Sequence, residues 1–133
     1  MKPTKQQRQS AEHYGRRAEQ IARVWLWLFG YKILARRWRS AFGEIDLVAQ
    51  RRKQLVFVEV KWRHFRYKDH LLPAHQPHRL IRAATAFLAQ YPEFSRFDCR
   101  FDFIIVHSSK FIRCPTLRHV KNIFPDAGMG LDR

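Results

Sequence analysis

Apolar residues along this chain follow two different rhythms. Between Ala11 and Phe29 the positions Ala18, Ile21, Ala22, Trp25, Leu28 and Phe29 recur at helical spacing, and Gly30 follows as a stop signal. The spacing predicts a first helix over 11–29. A second helical stretch opens at Pro77, whose fixed φ suits a first turn, and carries Leu80, Ala83, Ala84, Phe87 and Leu88 on one side. Between the two, residues 31–39 alternate imperfectly but are rich in aromatic and aliphatic side chains. The segments 44–50 (EIDLVAQ) and 55–62 (LVFVEVKW) read as strands joined across the polar stretch Arg51 to Gln54, hence a hairpin. Residues 99–107 hold the nearly continuous apolar run FDFIIV, with 110–114 as a shorter partner strand. Helix, three strands, helix, and one or two further strands predict an α/β sandwich, a small mixed sheet flanked by helices.

The two ends lack such rhythm. Residues 1–10 are expected to be a disordered basic arm and residues 115–133 an irregular tail, leaving one domain over 11–114. A chain of 133 residues is long enough for one shared core and too short for two.

Charge narrows the partner. Lys and Arg number 26 against 11 Asp and Glu, a formal net charge of +15, while hydrophobic residues still make up 46%. The chain can therefore fold around a core and present a strongly cationic surface. Such an excess favours a polyanion, because each phosphate neutralised by a basic residue releases condensed counterions. Nucleic acid is the expected partner, with DNA favoured. Two basic clusters stand out: Arg36, Arg37 and Arg39 around Trp38, and WRHFRYK at 62–68, where Arg63, Arg66 and Lys68 alternate with aromatics suited to base stacking. No membrane association is expected, since the C-terminal LDR carries no prenylation motif and the run Val24 to Phe29 is far short of the roughly 18 apolar residues of a span. No apolar segment follows the basic N-terminus at signal-peptide distance, so the expected compartment is the cytoplasm, where Cys99 and Cys114 stay reduced.

The hairpin carries the chemistry. If Gln50 faces Leu55, an antiparallel register sets Asp46 opposite Glu59 and Glu44 opposite Lys61, all four on one face. Two like charges at ~4 Å and an effective dielectric of about 20 repel by about 4 kcal/mol. Folding alone would not select that pair, and a divalent cation such as Mg²⁺ or Mn²⁺, which takes a few carboxylates and retains waters, offsets it. Lys61, two residues beyond Glu59 on the same strand face, sits where an ammonium reaches a metal-bound water or phosphate, though it also fits an ion pair with Glu44. Asp102, inside FDFIIV, either pairs with a base such as Arg100 in a buried strand or supports the site from behind. The spacings of His64, His70, His75 and His78 match no compact zinc-ligand pair, and Cys99, Cys114, His107 and His119 form no knuckle.

Asp46 followed by Glu59-Val60-Lys61 resembles the PD-(D/E)xK nuclease superfamily, in which an acidic residue precedes a hairpin bearing a second acid and a lysine. The resemblance implies a restriction-endonuclease-like fold, a divalent-metal site at Asp46 and Glu59, and catalysis supported by Lys61. Branches that include archaeal Holliday-junction resolvases add a glutamate from the preceding helix, and Glu19 in RRAEQIA matches that position, which implies a third metal ligand and catalytic carboxylate; it also fits a surface pair with Arg23 at i+4. More closely, GRRAEQIA, RRWRSAFGEIDLVA, LVFVEVKWR and CRFDFIIV resemble the YraN-like family of bacterial proteins over roughly residues 12–107. That family commonly carries Asn where Arg37 stands and Lys near His78 and Arg79. The implied activity is endonucleolytic, on branched or structured DNA, for which a symmetric junction would favour a homodimer. The alternative is a non-catalytic nucleic-acid-binding or adaptor protein with a nuclease-like fold.

Overall fold

The first helix starts earlier than its apolar period, because Thr4 caps it. The Thr4 hydroxyl accepts from the Gln7 N–H while the Gln7 side chain accepts from the Thr4 N–H, a reciprocal capping box that satisfies two otherwise orphaned donors. The computed structural model describes residues 2–64, 77–109 and 112–124, and in it α1 spans Lys5–Leu28. The expected disordered arm over 1–10 is thus corrected: most of it is the exposed first turns of α1. Gly30, at φ 84, then turns the chain into the sheet.

Strands β1 (Lys32–Ser40), β2 (Gly43–Arg51) and β3 (Gln54–His64) form an antiparallel meander. The β2–β3 turn is tighter than the anticipated four residues, since Arg51 and Gln54 already pair and Arg52 takes φ 55. Helix α2 (Pro77–Gln90) carries the chain across one face, and β4 (Asp98–Ser109) returns parallel to β3. Strand β5 (Ile112–Val120) closes the sheet, whose order is β1-β2-β3-β4-β5. The mixed α/β sandwich expected from the element order is therefore the observed architecture. The irregular tail is corrected as well, since the strand runs through Pro115 to Val120. A proline with no N–H to give is tolerated because β5 lies at the sheet edge and the ladder is irregular between His107 and Ser109.

The sheet separates two apolar layers. Ala18, Ala22 and Leu26 of α1 pack on Leu47, Ala49, Val56, Val58, Ile104 and Val106. Leu80, Ala83, Ala84, Phe87 and Leu88 of α2 pack on Ile45, Val48, Leu55, Phe57 and Phe101 on the other face.

A buried polar network ties the first layer to the far edge. Arg100 donates to both Asp102 oxygens at 2.9 and 3.0 Å, His119 Nε2 lies 2.7 Å from Oδ2, and the Asn122 N–H donates to Oδ1. Trp25 of α1 donates its indole N–H to His119 Nδ1, which leaves Nε2 to carry the imidazole proton towards Asp102. Burial alone would raise the Asp102 carboxyl, but the bonds from His119, Arg100 and Asn122 outweigh it and hold the group below its ordinary value. Of the two roles open to Asp102, the buried pair with Arg100 is present, and Asp102 also borders the cleft formed around Asp46.

Candidate functional site

Strand β3 alternates without a fault: Leu55 and Phe57 belong to the α2 layer, Val56 and Val58 to the α1 layer. Glu59 and Lys61 consequently point to the α2 side. Strand β2 does slip. Val48 and Ile45 both pack in the α2 layer while Leu47 packs under α1, so the alternation breaks between Ile45 and Leu47, at Asp46. The β2–β3 ladder follows the anticipated register, Gln50 on Leu55, as far as Leu47 on Val58, and ends there. The expected facing pairs, Asp46 on Glu59 and Glu44 on Lys61, thus lie beyond the paired region. The strands fork, and the Asp46 carboxylate fills the gap by accepting the Val60 N–H at 2.8 Å.

The fork opens a cleft of about 300 Å³ lined by Glu44, Asp46, Glu59, Lys61 and Arg79. Lys61 Nζ lies 2.9 Å from Glu59 Oε1, and Arg79 Nη2 approaches the same oxygen at 3.9 Å. The pairing of Lys61 with Glu44 is not found; Glu44 turns instead to Arg39, 3.3 Å away. Glu59 Oε2 is enclosed and has no hydrogen-bond partner among the described residues. Burial pushes the Asp46 carboxyl up to about 6, the bond from Val60 opposes this, the Glu59 and Glu19 charges add to it, and Lys61 subtracts.

Arg79 belongs to the site without having been singled out in the sequence. Gly43, at φ 130, leaves its α-carbon bare where a Cβ would stand 2.7 Å from Arg79 Nη1, so the α2 side chain crosses the start of β2 to reach Glu59. Its signal was the position near the second helix start where the resembling family carries lysine.

Glu19 approaches from the other side. It is 9% exposed on α1 and pairs with Arg37 Nε at 3.0 Å, not with Arg23. Arg37 makes this bond from φ 49, a left-handed conformation within β1 that Asn tolerates far better than most residues. Glu19, Arg37, Arg39 and Asp46 line a recess that shares Glu44, Asp46 and Val60 with the main cleft. Asp46, Glu59 and Lys61 thus come together, with Glu19 reaching Asp46 from behind. Among the described residues no three Asp, Glu, His or Cys side chains converge as a ready-made metal cage. Two carboxylates with one unpartnered oxygen nevertheless suit a hard cation that keeps waters and takes its remaining oxygens from phosphate.

Of the basic clusters, Arg36, Arg37 and Arg39 flank this recess, Arg63 is exposed at the end of β3, and Arg66 and Lys68 lie outside the described residues, as do His70 and His75. Cys99 is half-buried, its thiol donating to the Phe97 carbonyl, and Cys114 is exposed. Among the described residues no helix is long and apolar enough to cross a membrane.

Fold and site together define a mixed α/β sandwich with an acidic, lysine-bearing cleft at a strand fork. Residues 18–106 match the model of the Uncharacterised protein family UPF0102, and the chain belongs to that family. Relatives include UPF0102 proteins of Nitrobacter winogradskyi, 45% identical over 102 residues (74% of this chain, 85% of that one). A second, from Chlorobium phaeobacteroides, is 42% identical over 117 residues, covering 83% of this chain and 92% of the relative. Among solved structures, Archaeoglobus fulgidus Hjc, a Holliday junction resolvase, is similar over 80% of this chain and 76% of that one, at 19% identity and TM-score 0.44.

Proposed function

We propose that this protein is a divalent-metal-dependent endonuclease that hydrolyses phosphodiester bonds, with branched or structured DNA as the favoured substrate. The observation that carries the reading is the fork itself. Two carboxylates, Asp46 and Glu59, meet where the ladder ends, beside Lys61, with one Glu59 oxygen unpartnered, in a chain of net charge +15. Asp46 and Glu59 would hold Mg²⁺ or Mn²⁺, which when bound neutralises phosphate charge and activates water.

The chain's own groups do the rest. Glu59 Oε1 steadies the Lys61 ammonium, whose remaining N–H donors are free to hold a non-bridging phosphate oxygen. Arg79 adds a second positive charge across the cleft. Glu19 holds Arg37 and, through its charge, helps raise the Asp46 carboxyl in the metal-free cleft. Water attacks phosphorus and gives up a proton to solvent, the P–O bond to the leaving sugar oxygen breaks, and that oxygen leaves with a proton from solvent or a cleft group. The preference for branched DNA draws on the resolvase-like position of Glu19.

A nuclease panel of duplex, single-stranded, flapped and four-way DNA, with and without Mn²⁺, tests the reading. Cleavage abolished by Asp46→Asn and Glu59→Gln, with binding retained, is the expected result. Folded protein inactive on the whole panel would leave the second reading, a binding module. The ion pairs that already neutralise Glu59 and Glu19 favour that alternative.

A further inference from the structure

The acid cleft does not end at Asp46. The recess behind it shares Arg16, Glu19 and Arg37 with a second hollow, and that hollow shares Gln20, Arg23 and Arg36 with a third, which reaches Val24 and Trp27. The three follow one another along the seam between α1 and β1, ending on an indole that is 71% exposed. A tryptophan left so open, with Val24 and Leu28 exposed beside it, leaves a large apolar surface uncovered.

Charge along this seam is graded. At the cleft end, Arg37 and Arg39 are taken up by Glu19 and Glu44. Further out, Arg16, Arg23 and Arg36 make no ion pair among the described residues, and Arg23 Nε is enclosed with no acceptor. Unpaired guanidinium groups beside an open aromatic face are what a single nucleic-acid strand requires: cations along its backbone and a platform for a base. A duplex would present paired, stacked bases and could not use the indole.

We infer that the α1–β1 seam is a track for one unpaired nucleic-acid strand, running from a base stacked on Trp27, past Arg23, Arg36 and Arg16, into the cleft at Asp46. This deepens the nuclease reading by naming its substrate as one with a single-stranded arm. From Glu19 to Trp27 are eight residues, about 12 Å at 1.5 Å per helical residue. The arm must therefore extend at least that far beyond the reacting phosphate.

The test is binding of the full-length protein in EDTA, where no cleavage intrudes, measured by anisotropy with labelled blunt duplex and with the same duplex bearing a six-nucleotide thymidine arm. The armed duplex should bind more tightly, and Trp27→Ala should weaken it by about 5- to 100-fold, as loss of one stacked base does, leaving blunt duplex unchanged. Replacing Arg16, Arg23 and Arg36 by Gln should flatten the salt slope for the arm by about 2. Unchanged melting temperatures show that these surface variants fold. If Trp27→Ala binds the armed duplex like wild type, or loses both substrates equally, the track is wrong. Concentration-dependent dimerisation lost in Trp27→Ala, with arm binding intact, would also overturn it and assign the stripe to a second copy of the chain. The nuclease reading fails separately: arm-selective, Trp27-dependent binding with no cleavage in Mg²⁺ or Mn²⁺ retains the track and removes the enzyme. Blunt-duplex cleavage insensitive to Trp27→Ala, without arm selectivity, does the reverse.

Discussion

Replacing Asp46 by asparagine should stabilise the metal-free protein, and by an amount set by pH. Burial, helped by Glu59 and Glu19, raises this carboxyl from 3.8 to about 6. Ionising it in the fold is then costlier than in the unfolded chain by about 3 kcal/mol, at 1.36 kcal/mol per pH unit of displacement. The sign follows from the protons bound. Between 3.8 and about 6 the native state holds a proton that the unfolded state has released, so wild-type stability falls as pH rises through that window and the loss is complete near pH 7. Asparagine keeps an oxygen for the Val60 N–H and carries no charge. The variant should match wild type below about pH 4 and exceed it by about 2–3 kcal/mol at pH 8, on the order of 10 °C in Tm for a chain of this size. Urea unfolding in EDTA at pH 4, 6 and 8 measures this directly. Repeating it with Mn²⁺ adds the second arm: wild type gains about 2.7 kcal/mol at 100 times the dissociation constant, and the variant gains nothing. If Asp46→Asn destabilises the metal-free protein at every pH and keeps the metal response, Asp46 is an ordinary hydrogen-bonding residue and the proposed site is refuted.

Asp102 should behave in the opposite way. Its carboxyl is held below the ordinary value, so its stabilisation is full above the unfolded value and is lost as pH falls through the folded one. Asp102→Ala should cost about 3–5 kcal/mol at neutral pH by stranding Arg100, measurable by urea unfolding. Gly43→Ala, strained at φ 130 and pressed against Arg79, should destabilise by about 1–3 kcal/mol and lower cleavage more than Arg79→Gln alone, as activity and Tm together would reveal. Arg37→Asn should relieve left-handed strain but strand the buried Glu19 carboxylate, so its Tm should stay close to that of wild type, and the salt slope of DNA binding should stay unchanged because Arg37 is already taken up by Glu19.

Much of this molecule is legible before folding is considered. Helical and strand periods are local, so Ala18 to Leu28, the two hairpin strands, the α2 stripe and FDFIIV declare their elements and the mixed sandwich with them. The family resemblance likewise resides in contiguous blocks around Glu19, Asp46 and Glu59-Val60-Lys61. The Arg100 partner offered for Asp102 is also found, because it is only two residues away. Tertiary structure decided what depends on residues distant in sequence. A flat hairpin register cannot foresee that β2 slips at Asp46, since the slip is set by Ile45 joining the α2 layer and Leu47 the α1 layer. Ion-pair partners were reassigned for the same reason. Glu19 meets Arg37 rather than Arg23, and Lys61 meets Glu59 rather than Glu44, because a side chain's nearest charge is fixed by how layers stack and strands fork. Arg79 enters the cleft only because an α2 side chain crosses a bare Gly43, and the Trp25–His119–Asp102 link spans residues that no period connects. Local pattern encodes which elements form; the angle at which they pack decides which of their polar groups meet.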